Sequence, residues 1–149
     1  MSTTNSTNTR TAEAKAVVVR YVEAVRDGDL AVIRDSFAED AVWIYPGELS
    51  ISGRWEGRDH IVDDFLGGMG TRLKEGAPLV IELTNVVAEG DQVVAEWSSK
   101  GTTAAGDAYD NRCSGTYTVR DGRIVEVREY ADTHHVARTL LAGDAPAAR

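Results

Sequence analysis

Two runs of alternating residues flank Asp121-Gly122, and this hairpin constrains the fold more than any other part of the chain. An Asp-Gly pair supplies the positive φ angles of a two-residue turn, and such a turn locks the register of both arms. Side chains alternate between the two faces of a strand. The second arm therefore places Ile124, Glu126, Arg128, Tyr130 and Asp132 on one face and Val125, Val127, Glu129 and Ala131 on the other. The first face ends in a charged and aromatic series, while the second is mostly small and aliphatic. Asp132 is followed by Thr133-His134-His135 and a short apolar helix pattern running to about Leu141. The end of this strand is expected to close one end of a cavity.

The rest of the chain reads as the wall of that cavity. Gly90-Asp91 is a second hairpin signal, joining strands expected over 79–88 and 92–102. Ala104-Ala105-Gly106-Asp107 leads into a third strand over 108–119. Upstream, Val18, Tyr21, Val22 and Val25 fall at helical spacing in a helix expected from about Thr11 to Asp27-Gly28. Asp29 is placed to cap a second short helix carrying Leu30, Ile33 and Phe37. A β-rich run over 41–45 stops at Pro46-Gly47, and 51–55 is expected to pair loosely beyond that turn. Gly57-Arg58-Asp59 opens a third helix with His60, Ile61, Phe65 and Leu66 on its inner side, broken by Gly67-Gly68 and Gly70. Helices first and then an antiparallel meander define an α+β fold, with N-terminal helices on the concave face of a curved, cone-shaped antiparallel sheet that encloses a pocket. Residues 1–10 read as a disordered polar leader, 11–141 as one domain and 142–149 as a solvated tail.

Charge and cysteine content narrow the function classes. A net charge of -8 argues against nucleic acid or an anionic membrane as partner, since both require a basic footprint. The single cysteine, Cys113, allows neither an internal disulfide nor a multi-cysteine zinc site, and fits a reducing, cytoplasmic location. His134 and His135 are adjacent, so on a helix they point about 100° apart and do not chelate one metal together. Neither a metal nor another cofactor is expected.

Helix, Gly-Asp-Leu, short helix, "FAEDAVWIYPG", "GRDHI" and the Tyr109–Thr133 hairpin together resemble the nuclear transport factor 2 superfamily, over roughly Ala12 to Leu140. Within it the chain is most similar to the SnoaL-like and ketosteroid-isomerase-like branch. The resemblance implies a cone-shaped fold that hosts isomerases, epoxide hydrolases, polyketide cyclases and non-enzymes. "VVRYVEAVRDGDL" is similar to the first helix of ketosteroid isomerase, with Tyr21 at its oxyanion-holding tyrosine. The isomerase's base falls at Tyr45 and its second acid near Gly115, so steroid isomerisation is not expected. "VREYAD" looks like the last strand of the limonene-epoxide-hydrolase-like enzymes, with Asp132 at an acid that takes part in activating water. Their Arg and second Asp fall at Trp97 and Ser99, although Arg128 shares the face of Asp132. Asp132 is equally suited to cap the last helix.

The expected function is therefore a cofactor-independent enzyme acting by general acid–base catalysis on a hydrophobic small molecule. Asp132 is its candidate base, and Tyr21, Tyr45 and Tyr130 are donors to an oxygen that gains charge. An aromatic pocket wall is expected from Trp43, Phe65 and Trp97, with Asn111, Arg128 and His60 as further ligand contacts. The competing reading is a non-catalytic small-ligand-binding or dimerisation module. In either case a homodimer is expected, joined through the sheet face turned away from the helices.

Overall fold

The computed structural model describes residues 2–144. Six strands form one mixed sheet in the order β2-β1-β6-β5-β4-β3. They are β1 (Phe37–Tyr45), β2 (Gly53–Glu56), β3 (Val80–Glu89), β4 (Gln92–Thr102), β5 (Ala108–Arg120) and β6 (Arg123–Ala131). Four neighbouring pairs are antiparallel, whereas β1 runs parallel to β6, with Trp43 opposite Val127. The sheet is thus α+β as expected but not wholly antiparallel. The reason is connectivity: β1 enters from the helices, pairs with β2 along one edge, and lies along its other edge beside the last strand, running in the same direction.

The helices are α1 (Ser2–Asp27), α2 (Leu30–Asp35), α3 (Gly67–Thr71) and α4 (Thr133–Arg138), with a π-helical segment, His60–Leu66, running into α3. The apolar stripe of α1 packs inward, leaving Val18 fully buried and Tyr21 and Val22 nearly so. α1 begins before the start expected from that stripe and crosses the segment read as a leader. Its residues 3–10 are exposed on every side, and two threonines there bond back to carbonyls one turn earlier. Packing begins at Thr11, whose hydroxyl accepts the Gly90 N–H at 2.8 Å and ties α1 to the β3–β4 turn. Gly28 (φ 70°) ends α1, and the Asp29 side chain accepts from Val32 N–H at the start of α2. The glycines expected to break the third helix instead lie within α3.

Both hairpin turns form where the sequence places them. Asp121 and Gly122 each have positive φ, and Arg120 pairs with Arg123 across them. The register shifts between Thr118 and Val119, so Ile124 pairs with Val119 while Glu126 pairs with Thr118. Val125 is the extra residue, and this irregularity brings Ile124 to the same buried side as Val127. From there outward, Val127, Glu129 and Ala131 face the helices, while Glu126, Arg128 and Tyr130 face away. The charged and aromatic series thus lies on the outer face. Of the expected tail 142–149, residues 145–149 lie outside the described residues; Asp144 accepts hydrogen bonds from Arg72 and Ser50.

Candidate functional site

The inner face of the sheet, α2, the π-helical segment, α3 and α4 enclose a cavity of about 350 Å³. Its walls are mainly aliphatic and aromatic: Val25, Leu30, Ile33, Val62, Phe65, Met69, Leu79, Trp97, Val136 and Leu140. Its polar groups are few and come from the sheet: Tyr45, Ser99, Tyr109, Cys113 and Glu129. A hydrophobic chamber of this size with a few convergent polar groups is the usual form of a small-molecule site. The π-helical wall is a rare conformation that recurs at such sites.

Glu129 is the one charged side chain among the described residues lining the cavity. It sits on β6 opposite Gly115 and two residues beyond Val127, the partner of Trp43. Burial raises its carboxyl from the ordinary glutamate range to about 7. Some of its surface stays accessible, and it lines both the main cavity and a smaller one beside Tyr45, Pro46, Gly47 and Thr133. Trp43 Nε1 is buried without a partner of ordinary hydrogen-bond geometry, yet lies close enough to the carboxyl to oppose the shift.

Weak acids surround this carboxyl. Burial pushes the phenols of Tyr21, Tyr45, Tyr109 and Tyr117 above the tyrosine range, and the negative charge of Glu129 adds to the shift in each. Cys113 rises to about 12 for the same two reasons. All five keep their protons at neutral pH, so each is a potential donor and none is a base. Tyr45, Tyr109 and Cys113 reach the cavity, whereas Tyr21 and Tyr117 lie in the aromatic core behind it, with ring centroids 5.9 Å apart.

The expected site residues are dispersed by this geometry. Tyr45, Phe65 and Trp97 line the cavity, and Trp43 lies directly behind it, 5.2 Å from the Phe65 ring. Tyr21 is a core residue packed on Phe37 and Trp43. Asp132 is the N-cap of α4, its Oδ1 accepting the His135 N–H at 3.1 Å, and does not line the cavity. Asn111 spends both ends of its amide on the Asp132 backbone, at 3.2 and 3.3 Å. Tyr130 is 53% exposed on the outer face, and Arg128 lies there beside Glu126. His60 is exposed, edge-on to Trp55 and 3.8 Å from Asp64. Glu129 and Tyr109 complete the polar corner. The available signal for Glu129 was a lone acid in the otherwise aliphatic row Val125, Val127, Ala131.

Among the described residues no group of three His, Cys, Asp or Glu side chains converges to hold a metal. No helix among them is long and apolar enough to cross a membrane.

A curved six-stranded sheet packed on one long helix, with an apolar chamber lined by a single acid among the described residues, fits the nuclear transport factor 2-like superfamily, which the family match and the structural neighbours support. The chain belongs to the SnoaL-like domain family, whose model matches residues 18–127. An uncharacterised protein of Mycobacterium tuberculosis (strain ATCC 25618 / H37Rv) is 32% identical over 118 residues, covering 78% of this chain and 87% of that one. An NTF2-like protein of unknown function from Burkholderia pseudomallei K96243 superposes with a TM-score of 0.76 at 20% identity, covering 87% of this chain and 98% of the other. An LEH-like epoxide hydrolase of M. tuberculosis gives a TM-score of 0.69 at 22% identity, covering 89% and 92%. At these identities the solved structures share the fold with this chain.

Proposed function

We propose that the protein is a cofactor-independent enzyme that moves a proton on a hydrophobic small molecule, with Glu129 as the general base. The observation that carries this reading is a single carboxyl, held near neutrality by burial, at the polar corner of an apolar chamber. A base is most effective when its pKa lies near the working pH, because it is then both ionised and strong. Tyr45 and Tyr109 line the same chamber and keep their protons, so they serve as donors to an oxygen on which charge develops. Asp132 takes the structural role, because its carboxylate already accepts the α4 cap bond. Cyclisation, double-bond isomerisation and water-dependent epoxide opening all use a base and a donor in this arrangement. The epoxide hydrolase among the structural neighbours is compatible with that class.

The test needs no knowledge of the natural substrate. Wild-type protein is expected to accelerate deuterium exchange at the α-carbon of a small cyclic ketone in heavy water, followed by NMR. Glu129→Gln keeps the size of the side chain and removes its proton acceptor. Exchange is expected to fall by at least ~100-fold, in line with general-base contributions. The wild-type rate is expected to rise with pH and level off above about 7, because the ionised carboxyl is the active form. Full exchange by Glu129→Gln contradicts the assignment.

A further inference from the structure

The chamber holds one acid and no base to balance it. Among the described residues that line it there is no Arg, Lys or His. The groups facing the Glu129 carboxyl are uncharged on every side. Tyr21 comes from α1, Trp43 and Tyr45 from β1, and Tyr109, Cys113 and Tyr117 from β5. The π-helical segment contributes Val62 and Phe65, α4 contributes Val136, and the turn after α4 contributes Leu140. Nearby cations are engaged elsewhere. Arg72 pairs with Asp144 at 2.9 Å, and Arg128 lies on the outer face beside Glu126. His135 stacks against Tyr109 and does not line the chamber, and its Nε2 accepts the Asp110 N–H.

We propose that the cavity selects uncharged hydrophobic molecules carrying a carbonyl or hydroxyl oxygen, and excludes carboxylates and phosphates of the same shape. The inference rests on Glu129 being the working group of this chamber. A neutral oxygen finds the Tyr45 and Tyr109 phenols and the Ser99 hydroxyl, so its burial is compensated. An anion finds the same donors but also a carboxylate in a low-dielectric space with no cation to offset either charge. Two such groups do not both stay ionised, so the anion enters only together with a proton. Exclusion is therefore strongest where Glu129 is ionised and relaxes where it is protonated. The sign is opposite to that of a site built around arginine, which binds anions whenever they are ionised.

Two probes of nearly equal shape test this: 2-acetylnaphthalene, which is neutral, and 2-naphthoate, which is anionic. Affinities are measured by isothermal titration calorimetry on the wild-type protein and on Glu129→Gln. At about pH 8 the ketone is expected to bind wild type at least ~10-fold more tightly than the carboxylate, an effect on the order of one pKa unit of charge coupling. Glu129→Gln is expected to narrow this gap severalfold, since the repelling charge is gone while the cost of burying an anion without a cation remains. On wild type alone, lowering the pH to about 6 is expected to strengthen naphthoate binding while the probe stays ionised. Uptake is expected to be close to one proton per ligand at about pH 8, where Glu129 starts ionised, and little at about pH 6, where it is already protonated. Equal affinity of both probes for wild type at the higher pH overturns the proposal, as does a preference that persists unchanged in Glu129→Gln. Failure of both probes to bind either protein overturns it too, and takes with it the small-molecule reading of the chamber. Selective binding that depends on Glu129 together with a Glu129→Gln protein of full exchange activity would leave the charge filter standing and remove only the catalytic assignment.

Discussion

Three residues apart on one strand end, Glu129 and Asp132 are both acids, and their surroundings give them opposite properties. Glu129 projects among apolar and phenolic groups, so its neutral form is favoured. Asp132 lies at the exposed start of α4, where its carboxylate accepts a backbone N–H. The pair can be separated by mutation. Asp132→Asn is expected to leave stability and proton exchange nearly unchanged, because Asn caps a helix about as well as Asp. Asp132→Ala is expected to cost ~1 kcal/mol in urea unfolding. A large loss of exchange in Asp132→Asn would return the base to Asp132. The sequence alone left these roles open because alternation assigns a face but does not say which face is covered. The resemblance drew attention to "VREYAD", whose last residue the structure uses as a cap.

At the scale of the element, β5 and β6 carry most of what was legible. The Asp121-Gly122 turn follows from turn chemistry, and period two puts Tyr109, Asn111, Cys113 and Tyr117 of β5 on one face, where all four side chains are buried. The register shift at Thr118/Val119 was not legible, since an extra residue beside a turn leaves no mark in the alternation. It puts Ile124 on the buried side and leaves the row ending in Tyr130 outside. The parallel pairing of β1 with β6 was hidden for a related reason: it joins distant segments that no local pattern links. Gly115 shows how tightly β5 is packed against the site. It lies opposite Glu129, and a Cβ there would sit 2.7 Å from Cε2 of the Tyr117 ring. Tyr117 is almost fully buried, so the ring has little room to move. Gly115→Ala is expected to destabilise the protein by ~1–3 kcal/mol by overpacking. Thermal unfolding measures this, and an unchanged midpoint would mean that the ring shifts freely.

At the scale of the whole molecule, among the described residues one sheet face is covered by helices and the other is open. Val80, Val87 and Val94 stand exposed on that outer side, with Val87 paired to Val94, and Tyr130 projects from β6. We propose that a second copy of the chain covers this face in a homodimer burying ~1,000 Å² or more. Val127 is fully buried within the single chain, so β6 offers this contact its opposite parity, on which Tyr130 is exposed. Sedimentation at micromolar concentration is expected to show a dimer, and a pure monomer would contradict it.

The state of Glu129 also leaves a signature in the stability of the entire fold. Its carboxyl titrates at the usual value of 4.5 when the chain is unfolded and at about 7 when folded. Between those limits the folded protein holds a proton that the unfolded chain has released. Stability contributed by this group is therefore complete below the lower value and is lost as pH rises through the upper one. Glu129→Gln has no such proton. The measurement is the urea unfolding free energy of wild type and Glu129→Gln at several pH values between about 4 and 9, which cancels every other titrating group. The wild type is expected to lose on the order of 3 kcal/mol relative to the mutant across this range, with the change centred between the two values. A difference between the two proteins that stays constant with pH would show an ordinary carboxylate at Glu129 and contradict the account.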